Sequence, residues 1–224
     1  MKYFVINLPN RVDLREHWRD AFKSGIPINF FSFDKQINNV AEINNKLIFN
    51  NIVSYGYSGG RINTDALCGE LDCFYKHLSL YYECRNSGEN YMIFEDCNEY
   101  NIENIKLMAR EFEKLDVDIL FGNKEFNLGK KGLLEGWGIS CYCITPKGAD
   151  KLIKICFPLR MPLDLEIKNA CNAGHLKFGV MLKKATERTY RFSHSTEDSN
   201  INTNFSQRQE FKCLYNRFFS VLNL

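Results

Sequence analysis

Apolar positions along the chain fall into two alternating patterns. Tyr3-Phe4-Val5-Ile6 is a short continuous apolar run, whereas Leu14, Trp18 and Phe22 recur at i, i+4 and i+8. The first pattern predicts a buried strand and the second an amphipathic helix from about Val12 to Ser24. Gly25-Ile26-Pro27 ends that helix, and Ile28 to Phe33 is apolar and aromatic enough for a second strand. Between Lys35 and Asn63 the chain is rich in Asn and Gly and only weakly periodic, which predicts a long surface excursion.

Regular spacing then returns. Thr64 and Asp65 offer N-caps to a helix with Leu71, Phe74, Leu78 and Tyr81 on one face. Tyr91-Met92-Ile93-Phe94 reads as a central strand that stops at Glu95-Asp96. Ile105, Met108, Phe112 and Leu115 mark a further helix, followed by strands over Val117 to Phe121 and Cys141 to Ile144. Thr145 as N-cap and Pro146 as first residue start a helix that buries Ala149, Leu152, Ile153 and Cys156. Phe211, Leu214, Phe218 and Leu222 mark a last one. Strands alternating with helices imply an α/β fold with a mainly parallel sheet, whose ligands bind at the carboxyl ends of the strands. No repeat or low-complexity linker divides the chain, so a single domain over residues 1–224 is expected.

Composition narrows the class. At 45% hydrophobic and 25% charged residues the chain is globular, not disordered. A net charge of +2 with dispersed Lys and Arg gives no case for nucleic acid or for a membrane surface. No apolar stretch has the length of a membrane span, and the N-terminal run is too short for a signal-peptide core. Nine scattered cysteines without C-x-x-C pairs predict reduced, buried thiols and a cytoplasmic location. Cys141 and Cys143 would share one strand face, and no further ligands for a zinc site are evident.

Glu95 and Asp96 are the first candidates for chemistry. Two carboxylates after an apolar strand need a cation, donors or water. A hard divalent ion bridging the phosphates of a nucleotide-sugar is one answer, and a solvated strand end is the other. Arg11 and Arg15 bracket the turn from the first strand into the first helix, where guanidinium groups could clamp a diphosphate or simply lie on an exposed face.

Five segments together resemble glycosyltransferase family 25. Val5-Ile6-Asn7-Leu8 with Arg11-Val12-Asp13-Leu14-Arg15-Glu16 is similar to the family's opening. Gly69-Glu70-Leu71-Asp72-Cys73-Phe74-Tyr75-Lys76-His77 resembles its G-E-i-G-C-x-x-S-H segment, and Ile93-Phe94-Glu95-Asp96-Cys97 its i-L-E-D-D motif. Tyr142 to Ala149 resembles Y-l-I-S-x-x-G-A, and Pro162-Leu163-Asp164 resembles P-v-D. They occur in the family's order across about three quarters of the chain. The resemblance implies a GT-A-type, Rossmann-like nucleotide-sugar-binding domain, a UDP-sugar donor, Mn²⁺ and inversion at the anomeric carbon. The sugar would be galactose or glucose, and the acceptor a hydroxyl of a glycan or protein, as in LPS biosynthesis or collagen glycosylation. It assigns donor binding to Asn7, Arg11, Arg15, Glu70 and Glu95, and metal binding to Asp96 and to His194 in a C-terminal His-Ser-Thr-Glu-Asp segment. Inversion needs a base, and Asp164 is the candidate, with capping of the following helix as its alternative role. His77 is a candidate structural hydrogen-bonder.

Three departures from the pattern matter. Cys97 stands where the family has Asp, substituting a soft atom for a hard oxygen ligand, so that Mn²⁺ binding should weaken, or fall to Asp96 with Glu99 or Asp164 helping. Asp72 replaces Gly, and Lys76 replaces Ser, placing an ammonium that could balance diphosphate charge. The sequence therefore supports a UDP-sugar-dependent transferase first, and a catalytically degenerate nucleotide-sugar or partner-binding module second.

Overall fold

A computed structural model describes residues 1–8, 11–32 and 65–188, without the side chains of Phe22, residues 65–70 and Arg188. The excursion expected over Lys35–Asn63, the Thr64 cap, His194 and the expected last helix all lie outside the described residues.

The central sheet has six strands, β1 (Lys2–Ile6), β2 (Ile28–Phe31), β3 (Tyr91–Glu95), β5 (Ile119–Phe121), β8 (Cys141–Ile144) and β9 (Phe178–Val180), in the order β2-β1-β3-β8-β5-β9. Pairings β1–β2, β1–β3 and β5–β9 are parallel, and β8 is antiparallel to both of its neighbours. The expected α/β class and mainly parallel sheet are thus present, with β8 running against the rest. The carboxyl ends of β1, β2 and β3 share one edge, because the register sets Ile6 beside both Phe31 and Glu95.

Alternation along the strands divides the core into two layers. Tyr91, Ile93, Ile119, Phe121, Tyr142 and Ile144 face helices α2 (Asp65–Ser87), α4 (Pro146–Ile155) and α5 (Leu163–Asn172). Met92, Phe94, Leu120, Cys141 and Cys143 face α1 (Val12–Lys23) and α3 (Ile102–Lys114). Burial on both faces explains why β3 reads as an unbroken apolar run. Trp18 is fully buried in the second layer, packed on Phe94 and Tyr100. Cys141 and Cys143 share one face as expected, inside this apolar layer, and the seven described cysteines are all free thiols.

Several boundaries move. The second strand ends at Phe31, and the strand expected from Val117 begins at Ile119. Leu115 is exposed because it is already the C-cap residue of α3, past the last helical turn that packs. Short strands β4 (Asn98–Tyr100) and β10 (Thr186–Arg188) pair with each other, as do β6 (Phe126–Leu128) and β7 (Leu134–Gly136). None of these, nor β9, carries a pattern visible in the sequence, since three residues are too few to show a period.

The start of α4 shows how closely a helix can be set against the sheet. Thr145 caps it by accepting from Gly148 N at 2.9 Å, and Pro146 fills the first position. The Thr145 amide donates to the Asp118 carbonyl at 3.0 Å, which draws the first turn onto the chain entering β5. A methyl group on Gly148 would lie 2.4 Å from that carbonyl oxygen. Gly148→Ala should therefore lower stability by about 1–3 kcal/mol, although alanine is the better helix former. Urea denaturation of the two proteins checks the sign.

Candidate active site

The site is built on the shared carboxyl edge of β1, β2 and β3. Immediately after β1, Asn7 is buried, and its backbone amide donates to Phe31 O at 3.1 Å. Its side chain works in both directions. Nδ2 donates to Asp96 Oδ2 at 2.7 Å, and Oδ1 accepts from Arg15 Nε at 2.6 Å. Arg15 then donates through Nη2 to Ser32 Oγ at 2.7 Å, beyond the end of β2. One amide side chain thereby joins the carboxylate after β3 to the guanidinium on α1.

Asp96 is fixed from its backbone as well. Its amide donates to Ile6 O at 3.2 Å, and its carbonyl accepts from Trp18 Nε1 at 3.0 Å. Asn98 is fully buried behind it and donates to Glu95 O at 2.7 Å and Ser140 O at 3.3 Å, which sets the turn between β3 and β4. Burial raises the Asp96 carboxyl to about 6; the Asn7 hydrogen bond opposes this, the Glu95 charge adds to it, and the Arg11 and Lys76 charges oppose it. Arg11 makes a two-pronged contact with Asp13 at 3.0 and 2.9 Å and contributes to Asp96 through its charge.

On the other side of Glu95 stands α2. Cys73 Sγ lies 3.7 Å and His77 Nε2 3.6 Å from Glu95 Oε1. His77 is fully buried and bonded through Nδ1 to the Tyr142 hydroxyl at 2.7 Å, which in turn donates to Tyr81 at 3.0 Å. Its expected structural hydrogen bond is therefore present. Lys76 is paired with Asp72 at 2.8 Å, both side chains being 4% exposed. The two residues that depart from the family pattern in this segment thus meet as a buried i, i+4 ion pair, and the Lys76 ammonium already has a carboxylate beside it. Glu70 lies on the same helix, its side chain outside the description.

Asp164 sits in the first turn of α5, whose N-cap is Pro162. It does not cap the helix in the expected way. Oδ1 accepts from the adjacent Leu165 N at 2.9 Å, while Oδ2 reaches across to Gly138 N at 2.8 Å. Burial raises its pKa, the two amide bonds oppose that rise, and the field of Glu95 adds to it, so Asp164 and the acids after β3 share one electrostatic neighbourhood. Glu99, by contrast, lies on β4 with its carboxylate 3.8 Å from His17 Nε2.

Asn7, Arg15, Glu95 and Asp96 are thus brought together, with Lys76 on the helix beside them, Asp164 within reach of the same field and Arg11 acting through its charge. Sequence reasoning missed the partners that hold these groups. Trp18 reads as core from its spacing, and nothing in a spacing shows that its N–H holds a carbonyl. Asn98 carries no signal beyond its place after the acids, and Gly138 none at all.

In a mainly parallel α/β sheet ligands bind at the carboxyl ends of the strands, where these acids and the arginine lie. Residues 1–114 match the sequence model of glycosyltransferase family 25 (LPS biosynthesis protein), and the chain belongs to that family. No curated protein sequence matches it. Among solved structures, the apo form of mouse xyloside xylosyltransferase 1 aligns with a TM-score of 0.47 at 10% identity, covering 80% of this chain and 84% of that one. A putative glucose-1-phosphate thymidylyltransferase from Bacillus anthracis, in complex with a sucrose, aligns with a TM-score of 0.41 at 11% identity, covering 92% and 79%.

Two outcomes follow from the charges. An acid raised in the folded state favours the folded state most when protonated, so the Asp96 contribution is full below pH 4 and is lost as pH rises through about 6. Asp96→Asn should flatten the fall in unfolding free energy between pH 4 and 7 by at most about 2–3 kcal/mol, read from denaturation curves across that range. Removing only Lys76, as Lys76→Met, should cost about 3–5 kcal/mol by taking away the ammonium that offsets the buried Asp72 charge, whereas Asp72→Ala with Lys76→Met should cost much less. A double-mutant denaturation cycle measures the difference.

Proposed function

We propose that this family 25 chain transfers a hexose, galactose or glucose, from a UDP-sugar to a hydroxyl of a glycan or protein, with inversion. The observation that carries the proposal is the Asp96–Asn7–Arg15 chain of hydrogen bonds, which puts an acid and a cation side by side at the strand edge. An arginine there suits a diphosphate, and a carboxylate suits a divalent ion shared with that diphosphate.

The residues fit such an ion in a limited way. Asp96 uses one carboxylate oxygen for Asn7, and Cys97 beside it is a poor ligand for Mn²⁺. A hard cation held by one carboxylate and otherwise by substrate phosphate and water is a common arrangement. When bound, it would offset charge on the departing diphosphate. Asn7 fixes the Asp96 carboxylate, Arg15 and Arg11 supply positive charge for the donor phosphates, and Trp18 holds the turn that presents Asp96. Asp164 takes the proton of the acceptor hydroxyl as the new C–O bond forms and the bond to UDP breaks. Its two amide donors keep one orientation, and its raised pKa brings it closer to that of a useful base.

The second reading, a nucleotide-sugar or partner-binding module without turnover, is favoured by Cys97 alone. No helix among the described residues is long and apolar enough to cross a membrane.

Calorimetry with UDP, UDP-galactose and UDP-glucose, each with and without Mn²⁺, tests the donor site. Binding of one UDP-sugar that strengthens with Mn²⁺ and weakens in Asp96→Asn is expected; no binding of any of them by the folded protein would overturn the transferase reading. Asp164→Asn should keep donor affinity and lose about 10²–10⁴-fold in turnover, once an acceptor supports a measurable rate. Donor binding with no transfer to any acceptor hydroxyl would leave the binding module.

A further inference from the structure

We infer that Cys73, His77 and Glu95 form a binding site for a thiophilic divalent cation, zinc by chemistry, distinct from the hard-metal site proposed at Asp96. This goes beyond the transferase reading and does not depend on it. The three ligand atoms all lie within 4.8 Å of one another, and they form the one such group of three among the described residues. Sγ and Nε2 are 3.7 and 3.6 Å from Glu95 Oε1. With metal–ligand distances of about 2.0–2.3 Å, neighbouring ligands of a tetrahedral zinc are separated by roughly 3.3–3.7 Å.

The helix supplies two ligands because Cys73 and His77 are four residues apart on α2, on the face turned to the sheet. The strand end supplies the third. The imidazole is the informative member. Its Nε2 is buried without a hydrogen-bond partner, although the ring is fully enclosed. The Tyr142 hydroxyl, 2.7 Å from His77 Nδ1 and 3.0 Å from the Tyr81 hydroxyl, can accept from Nδ1–H. In the tautomer that donates from Nδ1, the Nε2 lone pair points toward the Glu95 carboxylate, 3.6 Å away. In that tautomer an enclosed nitrogen lone pair faces a partly exposed carboxylate, and a cation between them would satisfy both. A ligand histidine whose other nitrogen is held by a hydrogen bond is the usual second layer of a metal site, and here Tyr142 and Tyr81 supply it.

The donor set decides the metal. One sulfur, one imidazole nitrogen and one carboxylate oxygen suit zinc and do not suit Mn²⁺ or Mg²⁺, which prefer oxygen throughout. Metal entry displaces the Cys73 proton, giving a thiolate ligand and one released proton per ion. Three protein ligands leave a fourth tetrahedral position, and the partial exposure of Cys73 and Glu95 puts that position on the solvent side, where water completes the shell.

The test uses the full chain, freed of metal and without nucleotide, titrated with Co²⁺ and then with Zn²⁺. One equivalent of Co²⁺ should produce a thiolate-to-cobalt charge-transfer band together with visible bands of four-coordinate intensity, and Zn²⁺ should abolish both. Cys73→Ser should remove the charge-transfer band and weaken zinc binding by more than about 10–100-fold, the cost of losing even an outer partner. Cys97→Ser should leave the band in place. Because a variant can also fail by misfolding, zinc-edge absorption of the unaltered protein provides an independent reading. One sulfur at about 2.3 Å with nitrogen and oxygen at about 2.0–2.1 Å is expected. Absence of a charge-transfer band at stoichiometric Co²⁺, its loss in Cys97→Ser, or a shell with no sulfur or several would each overturn the assignment. None of these readings depends on whether UDP-sugars bind.

Discussion

The parallel pairing of β1 with β3 sets almost everything else at the site. Its register places Asn7 and Asp96 just past the same edge, 89 residues apart in sequence and 2.7 Å apart in space. The Asp96 amide continues the ladder to Ile6 O, so the first residue after the strand is still held by the sheet. Arg15 depends on that placement through Asn7, and Ser32 depends on Arg15. A short amide side chain therefore transmits the geometry of three strand ends into one constellation. Its burial strengthens both hydrogen bonds and makes the loss of either costly.

Much of this architecture was legible in the chain. β3 announces itself because it is buried on both faces, and α1, α3 and α4 do so through spacing and, for α4, through Thr145 and Pro146. Those features are local, so a local reading recovers them. The direction of β8 and the existence of β4, β6, β7, β9 and β10 are set by pairing partners far along the chain, and strands of three or four residues leave no period to read. The site divides in the same way. Glu95 and Asp96 stand out because acids end an apolar run, and Arg15 because it follows a strand. Likeness to family 25 marks Asn7 as a donor-site residue, but its link to both is a finding of the structure, because no spacing rule brings residue 7 to residue 96. Cys73 and His77 are readable as helix neighbours, but the approach of Glu95 to both is a matter of how α2 lies on the sheet.

The departures from the family pattern also look different once placed. Asp72 and Lys76 read singly as changes of pocket shape and charge. Together they are one buried pair, close to neutral as a unit, lying one residue before each of the two α2 ligands. Cys97 is exposed to a simpler logic. It removes a hard oxygen beside Asp96, while the soft atom that matters geometrically is Cys73, from the opposite side of Glu95. Glu95 therefore stands between the two proposed metal sites, oxygen-rich on the Asp96 side and sulfur–nitrogen on the α2 side.

The reversed direction of β8 has an effect on how this domain can vary. At β1, β2 and β3 the chain leaves the sheet at the site edge. At β8 it arrives there, coming from the β6–β7 hairpin and delivering Gly138 N to Asp164 and Ser140 O to Glu95 N just before pairing begins. A change in the length of that hairpin is absorbed upstream of the ladder, so it can reshape the ground beneath Asp164 while every strand keeps its register. The fold thus separates a fixed half of the site, tied to strand ends, from an adjustable half fed by an incoming loop.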